Sequence, residues 1–301
     1  MTKLYALALF KDRVHAVDLA DGAVDTVLDD TGPAPDGIVV HGDRLYWTTM
    51  GEPSPDPARP GRRGDDYSAK NGGVHTARRD GSGRRALVPP GTVTTGKQLV
   101  FDGEDTLYWG DREGYRVSRV RLDGSGQEDL IVNPGTDPVS DSCVGVAVDR
   151  ERGHLYWTQK GPSDGGRGRI FRAGIDVPAG ERPENRSDVE TLWDGLPEPI
   201  DLELVGGTLY WTDRGAAESG GNTLNRARIP AVGQRGEEPE ILAGGFTEAI
   251  GLAVDEDAGV VYVSDLGGTI VEVALPESGR PGRTRVIADL RTPLCGITLA
   301  E

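Results

Sequence analysis

The chain has 301 residues, of which 49 are acidic and 33 are Lys or Arg, giving a formal charge of −16. That balance argues against nucleic acid and anionic membrane surfaces as partners, and no apolar run approaches the ~18 residues of a membrane-spanning helix. Two cysteines are too few for a disulfide framework, while 44 glycines and modest hydrophobicity suit many short strands joined by tight turns.

The first apolar run, residues 4–10, precedes Lys11-Asp12-Arg13 without a small-residue cleavage site, so it reads as a strand rather than a leader. The expected location is therefore cytoplasmic. Runs at 13–19 and 25–28 follow. Within the first run lies Lys3-Leu4-Tyr5-Ala6, which returns as Arg44-Leu45-Tyr46-Trp47, Thr106-Leu107-Tyr108-Trp109, His154-Leu155-Tyr156-Trp157, Thr208-Leu209-Tyr210-Trp211 and Val260-Val261-Tyr262-Val263. The tyrosines are 41, 62, 48, 54 and 52 residues apart, and passing from Tyr262 through the termini to Tyr5 adds 44. A period near 50 that closes across the termini predicts a ring of repeats.

One repeat shows the unit: strand-like runs at 99–101, 107–109, 116–120 and 129–132, punctuated by Asp102-Gly103 and Asp123-Gly124-Ser125-Gly126. Four short antiparallel strands per unit predict an all-β, six-bladed propeller spanning 1–301 as one domain. The last run, Gly296-Ile297-Thr298-Leu299, matches the innermost strands Gly145-Val146-Ala147-Val148 and Gly251-Leu252-Ala253-Val254. It is expected to complete the blade begun at residue 4 and close the ring. Trp47, Trp109, Trp157 and Trp211, regularly placed, are expected between blades.

Tyr210-Trp211-Thr212-Asp213, with Tyr108-Trp109-Gly110-Asp111 and Tyr262-Val263-Ser264-Asp265, resembles the YWTD repeats of the low-density-lipoprotein-receptor family, and Arg119-Val120-Arg121-Leu122-Asp123-Gly124-Ser125 follows the same family's third-strand pattern. The resemblance implies the propeller fold along the whole chain. Thr49 and Gln159 depart from it where Asp is expected. Gluconolactonase-type and strictosidine-synthase-like propellers share only the number of blades. Arg far exceeds Lys and Ala, Gly and Pro are abundant, a composition expected of a GC-rich bacterial source.

In a propeller the inner strands start at one face of the channel, here called the top, and the second strands end there. Residues at these positions converge on one mouth. At the inner-strand starts lie Asp36, Lys97, Gln98, Cys143, Glu198, Asp201, Glu248 and Cys295; Gln98 and Asp201 take the slot that is Gly37, Gly145, Gly251 or Gly296 elsewhere. Carboxylates around a narrow mouth raise one another's pKa and share a proton or a cation. Glu198, Glu248 and Asp201 are thus the candidate acid–base residues, and a Ca or Mg ion in the channel is the candidate cofactor. Arg112, Lys160 and Arg214, at the ends of three second strands, form with Lys97 an arc suited to a carboxylate or phosphate. Cys143 and Cys295, on opposite blades, are expected as free thiols. The four histidines make no metal-ligand spacing. The long insertion 50–73, carrying Arg62, Arg63, Tyr67 and Lys70, reads as a lid over the mouth or as a passive loop.

These features point to a small-molecule-binding propeller, with lyase, cyclase or hydrolase chemistry at the top mouth as the leading expectation. The alternative is a non-catalytic scaffold binding another protein. It calls for an exposed apolar or aromatic patch rather than a polar pocket, and few aromatics lie outside the repeat.

Overall fold

A computed structural model describes residues 3–55, 66–276 and 282–300. Among these the chain forms 24 strands and one 3-10 turn at Ala217–Ser219. No described helix is long and apolar enough to cross a membrane. The chain enters through β1 (Lys3–Ala8), β2 (Arg13–Asp18) and β3 (Val24–Leu28). Blade one follows as β4 (Pro35–His41), β5 (Arg44–Thr49), β6 (Gly73–Arg78) and β7 (Arg85–Ala86), and blade two as β8 (Gly96–Phe101), β9 (Thr106–Asp111), β10 (Arg116–Arg121) and β11 (Glu128–Val132). Blade three is β12 (Cys143–Asp149), β13 (His154–Gln159), β14 (Gly168–Gly174) and β15 (Glu190–Leu196); blade four is β16 (Pro199–Val205), β17 (Thr208–Asp213), β18 (Thr223–Arg228) and β19 (Glu240–Gly244). Blade five is β20 (Ala249–Asp255), β21 (Val260–Asp265), β22 (Thr269–Ala274) and β23 (Thr284–Asp289). The last strand, β24 (Leu294–Leu299), pairs antiparallel with β1, so blade six is β24-β1-β2-β3 and the ring closes as expected.

The repeat residues do two jobs. The tyrosines and tryptophans fill the seams between blades: Tyr108 packs with Trp157 and Phe171 between blades two and three, and Tyr156 with Trp211 and Trp193 between three and four. All four repeat tryptophans are buried. Burying such large side chains at every seam supplies most of the apolar surface that holds neighbouring sheets together.

The second job concerns the inner strands, which start about three residues earlier than apolar patterning suggests. Each breaks register with its second strand at one pair of residues: Asp36-Gly37, Lys97-Gln98, Val144-Gly145, Ile200-Asp201, Ile250-Gly251 and Cys295-Gly296. A bulge re-aims side chains and frees backbone groups from the ladder. The third residue of the repeat motif takes up those groups. Thr48, Thr158, Thr212 and Ser264 each accept the N–H of their own blade's second bulge residue, at 2.9, 2.7, 3.2 and 3.1 Å. The same hydroxyls donate to the carbonyls of Lys97, Ile200, Ile250 and Cys295 on the next blade. One hydroxyl thus ties two neighbouring bulges. Blade two has Gly110 instead, where an added Cβ would lie 2.4 Å from the Val144 carbonyl oxygen.

The motif aspartates anchor the approach to the inner strands. Asp111 accepts the amides of Thr94 and Thr95 and pairs with Arg116, and Asp265 accepts those of Thr247 and Thr269. Where Asp is missing, the neighbours change with it: Thr49 bonds His75 at 3.1 Å, and Gln159 accepts from Arg169 at 2.6 Å.

Candidate functional site

The first residue of each bulge points to the ring axis, and together the six close the channel near its top. Val144, Ile200, Ile250 and Cys295, from blades three to six, are buried in one apolar cluster. Blades one and two complete the plug with an ion pair: the Lys97 ammonium bonds the Asp36 carboxylate and lies 3.5 Å from the Met50 sulfur, while Gln98 donates to the other Asp36 oxygen at 3.1 Å. Asp36 is 1% and Lys97 8% exposed. The plug corrects the expectation of an open channel in which Asp36, Lys97 and Cys295 meet a ligand: their side chains are spent on one another. Cys143 is buried in the seam between blades two and three, with Asn133 3.4 Å from its sulfur. Both cysteines are free, as expected from their opposite blades, and burial pushes both thiols up.

Above the plug, four of the candidates meet. Glu198 is 2% exposed, and one of its oxygens, Oε1, takes both the Lys160 ammonium at 2.8 Å and the Arg214 guanidinium at 2.6 Å. Arg214 also reaches Glu248 at 3.6 Å, and Ser163 lies 3.5 Å from Glu198 Oε1. Burial alone would raise the Glu198 carboxyl, but Arg214 and Lys160 together hold it below its ordinary value. Burial also lowers the Lys160 ammonium, and Glu198 only partly offsets this because its charge is shared with Arg214. The Arg214–Glu198 pair is the firmer of the two, since Arg214 is raised in spite of its burial. An ionised Glu198 differs from the near-neutral base expected at the mouth. Glu248 sits at a φ of 57°, left-handed, as does its blade-one counterpart Ala34 at 54°, so the turn rather than a local function accounts for the conformation.

Arg112 stands beside this group. It pairs with Glu113 at 2.6 Å and lies 5.5 Å over the Tyr67 ring, and the Tyr67 carbonyl accepts from Thr95 at 2.8 Å. Tyr67 therefore packs beside the mouth; Arg62 and Arg63 lie outside the described residues. Arg112, Lys160 and Arg214 line the mouth paired with Glu113 and Glu198, while Lys97 is held by Asp36 within the plug. The same register column holds Leu9, Met50 and Leu266 on blades six, one and five, so the mouth has a basic half and an apolar half. That division was readable in the sequence by aligning the fourth residue after every tyrosine.

Below the plug, the channel widens into a cavity of about 660 Å³ that includes Gln98 and Asp201 and runs to the bottom face. The predicted cluster of Asp36, Glu198, Asp201 and Glu248 is thereby split across the plug. Among the described residues no group of three or more His, Cys, Asp or Glu side chains could hold a metal ion. Asp201 accepts the amides of Leu202 at 2.9 Å and Leu252 at 3.0 Å, and Glu203, which sequence reasoning missed, accepts that of Val254 at 3.0 Å. Alternation along β16 puts Glu203 on the same side as Asp201.

Burial pushes Asp201 up to about 7 and Glu203 up to about 8, although both keep some surface toward the cavity; burial also takes Asp213 to about 7. Raised carboxyls stabilise the fold fully at low pH and lose that contribution as pH climbs to their folded values. His75, lowered to about 4 by burial, and His15 and His154, also lowered by burial, act in the opposite sense below about 6.5. Between pH 6.5 and 8 the carboxyls act alone, and Tm is expected to fall by about 2–4 °C. Glu203→Gln keeps an acceptor for Val254 and should flatten that fall in a calorimetric pH series; an unchanged slope would show that Glu203 does not titrate there.

The sequence is 42% identical over 284 residues to a Pyricularia oryzae protein named low-density lipoprotein receptor-related protein 1, covering 88% of this chain and 85% of that one. It is 39% identical over 264 residues, 82% of this chain, to 3-hydroxyacyl-CoA dehydrogenase-like protein LAM1 of Cochliobolus heterostrophus, and spans about half, 52%, of that relative's length. Both relatives are fungal. Among solved structures, a chain of the nidogen/laminin complex superposes with a TM-score of 0.70 at 17% identity, covering 100% of this chain and 99% of that one. A putative 6-phosphogluconolactonase from Bacteroides uniformis gives 0.58 at 12% identity, covering 94% and 81%. At these identities the structural likeness shows the fold alone. A scan against protein-family profiles finds no match.

Proposed function

The chain belongs to the YWTD-propeller family of low-density-lipoprotein-receptor-related proteins, and on that premise we propose that it is a binding propeller whose top mouth takes a small ligand through an anionic group. The observation that carries this reading is the sharing of one buried Glu198 oxygen by Lys160 and Arg214, while the second acid beside Arg214, Glu248, is exposed and 3.6 Å away. A carboxylate or phosphate entering beside Arg214 gains the fork of the guanidinium in place of the longer contact to the exposed Glu248. The apolar half of the mouth and Tyr67 then border the body of the ligand. Lyase, cyclase or hydrolase chemistry needs a mouth carboxyl poised to exchange a proton. Glu198, held ionised by its two partners, suits recognition better than catalysis.

Family membership favours a second reading, a scaffold that binds another protein; the structural neighbour comes from a nidogen/laminin complex.

Thermal shift and calorimetric titration with inorganic phosphate and with short mono- and dicarboxylates test the proposal. At least one anion should raise Tm by mass action, and Arg214→Gln should weaken it by about tenfold or more, the loss of one charge-assisted contact. Glu198→Gln removes the internal competitor and should tighten the same anion several-fold. Weaker binding in Glu198→Gln would overturn the reading and make Glu198 itself the ligand contact, as the catalytic alternative requires.

A further inference from the structure

The cavity beneath the plug plays no part in that site, and its lining has a chemistry of its own. It is bounded by five of the six inner strands, β4, β8, β16, β20 and β24. Its charged lining residues are Asp201, Glu203, Asp255, Glu256 and Asp257, and among the described residues no Lys, Arg or His joins them. They are strung along the axis: Asp201 is deepest, Glu203 lies two residues further along β16, about 7 Å by strand geometry, and 255–257 stand at the bottom opening. Between them run Ile38, Val40, Leu252, Val254 and Leu299, an apolar wall.

The blind end carries a further mark. Gln98 is 3% exposed, donates its amide nitrogen to Asp36, and borders the cavity with an amide oxygen that has no hydrogen-bond partner among the described residues. Glu203 likewise uses only Oε2, toward Val254. Acceptors therefore face the cavity from its end and its side, with no donor of positive charge to meet them. Spread in a line rather than gathered around one point, they do not suit a metal ion, in keeping with the absence of a metal-ligating group among the described residues.

We infer that the bottom-opening cavity binds an elongated organic cation, a di- or polyamine whose ammonium groups are met by Asp201, Glu203 and the 255–257 acids while its methylenes lie along the apolar wall. Ammonium groups separated by three or four methylenes match the spacing of alternate residues on one side of a strand, and each brings donors to a carboxylate. The Gln98 oxygen accepts from the innermost ammonium. Raised carboxyls at Asp201 and Glu203 are what an acidic cavity shows before its cation arrives.

Calorimetric titration at 150 mM salt with butylamine, putrescine and spermidine, and with 1,4-butanediol as the uncharged control, tests this. One molecule per chain is expected, about five- to tenfold tighter per added ammonium, with no heat from the diol. Glu203→Gln should weaken spermidine at least tenfold, while Glu218→Gln, an exposed acid on the 3-10 turn, leaves it unchanged. Thr298→Lys, which tethers an ammonium within the cavity, should abolish binding in a protein that still melts cooperatively. Several weak sites equally sensitive to Glu203→Gln and Glu218→Gln would overturn the inference and assign the effect to the diffuse field of a −16 protein. Spermidine bound by Thr298→Lys as tightly as by the parent would overturn it as well. Arg214→Gln, which tests the top mouth, should leave spermidine binding intact, so the two sites stand or fall separately.

Discussion

Replacing Lys97 with Met is expected to destabilise the propeller by about 3–5 kcal/mol, the usual cost of leaving one partner of a buried pair uncompensated. Lys97 and Asp36 are enclosed at the plug, and the Gln98 amide and the weak thiol donor of Cys295 would remain to satisfy the carboxylate. The pair itself need not be worth that much, because its desolvation offsets most of its attraction. The double variant Lys97→Met/Asp36→Asn, which has no buried charge to strand, should therefore recover more than half of the loss. Urea unfolding of the two single variants and the double closes the cycle. A cost near 1 kcal/mol for Lys97→Met, the range of a solvated pair, would mean that water reaches the plug.

Removing β24 by ending the chain after Pro293 is expected to abolish cooperative folding, a loss comparable with the whole stability of an ordinary domain, about 5–15 kcal/mol. The strand supplies the inner edge of blade six, takes Leu294 and Ile297 into the seam between blades five and six, and contributes Cys295 to the plug. Without it β1 presents an unpaired edge and the ring opens beside the axis. Circular dichroism melting and size-exclusion chromatography report the result. A circular permutant that joins residue 300 to residue 3 and opens between β11 and β12 should melt near the parent, because closure rather than chain order is what the ring needs. A truncated chain that kept a sharp transition would show that five blades and three strands suffice.

Much of this architecture was legible because a propeller repeats its chemistry. The six tyrosines, the turn signals after each strand and the match of Gly296-Ile297-Thr298-Leu299 to the other inner strands led to blade number, strand count and closure, and the structure agrees at each. The motif threonine is an instructive miss. Its spacing was plain, but its partner is a bulge carbonyl on the next blade, as with Thr212 and Ile250, far away in the chain. Glu203 was passed over because it looks like any polar residue on an alternating strand.

The residues expected around one mouth are brought together only in part. Glu198, Lys160 and Arg214 do meet, because the starts of inner strands and the ends of second strands share one face. Asp36 and Asp201 do not join them, although they occupy neighbouring slots in the aligned blades. The bulge at each inner strand turns one residue of the pair into the plug and leaves the next bordering the cavity below.

By itself, then, the sequence determined what depends on local pattern and repetition: strands from alternation, turns from Gly and Asp, a ring from a period that closes on its ends. Tertiary structure decided what depends on meeting across the axis. Only when six strands converge does an Asp pair with a Lys 61 residues away, an apolar residue become a plug, and one acidic strand become the wall of a cavity. The physical reason is that charge, burial and pKa are properties of the neighbours a group acquires in space, and in a ring those neighbours come from every blade at once.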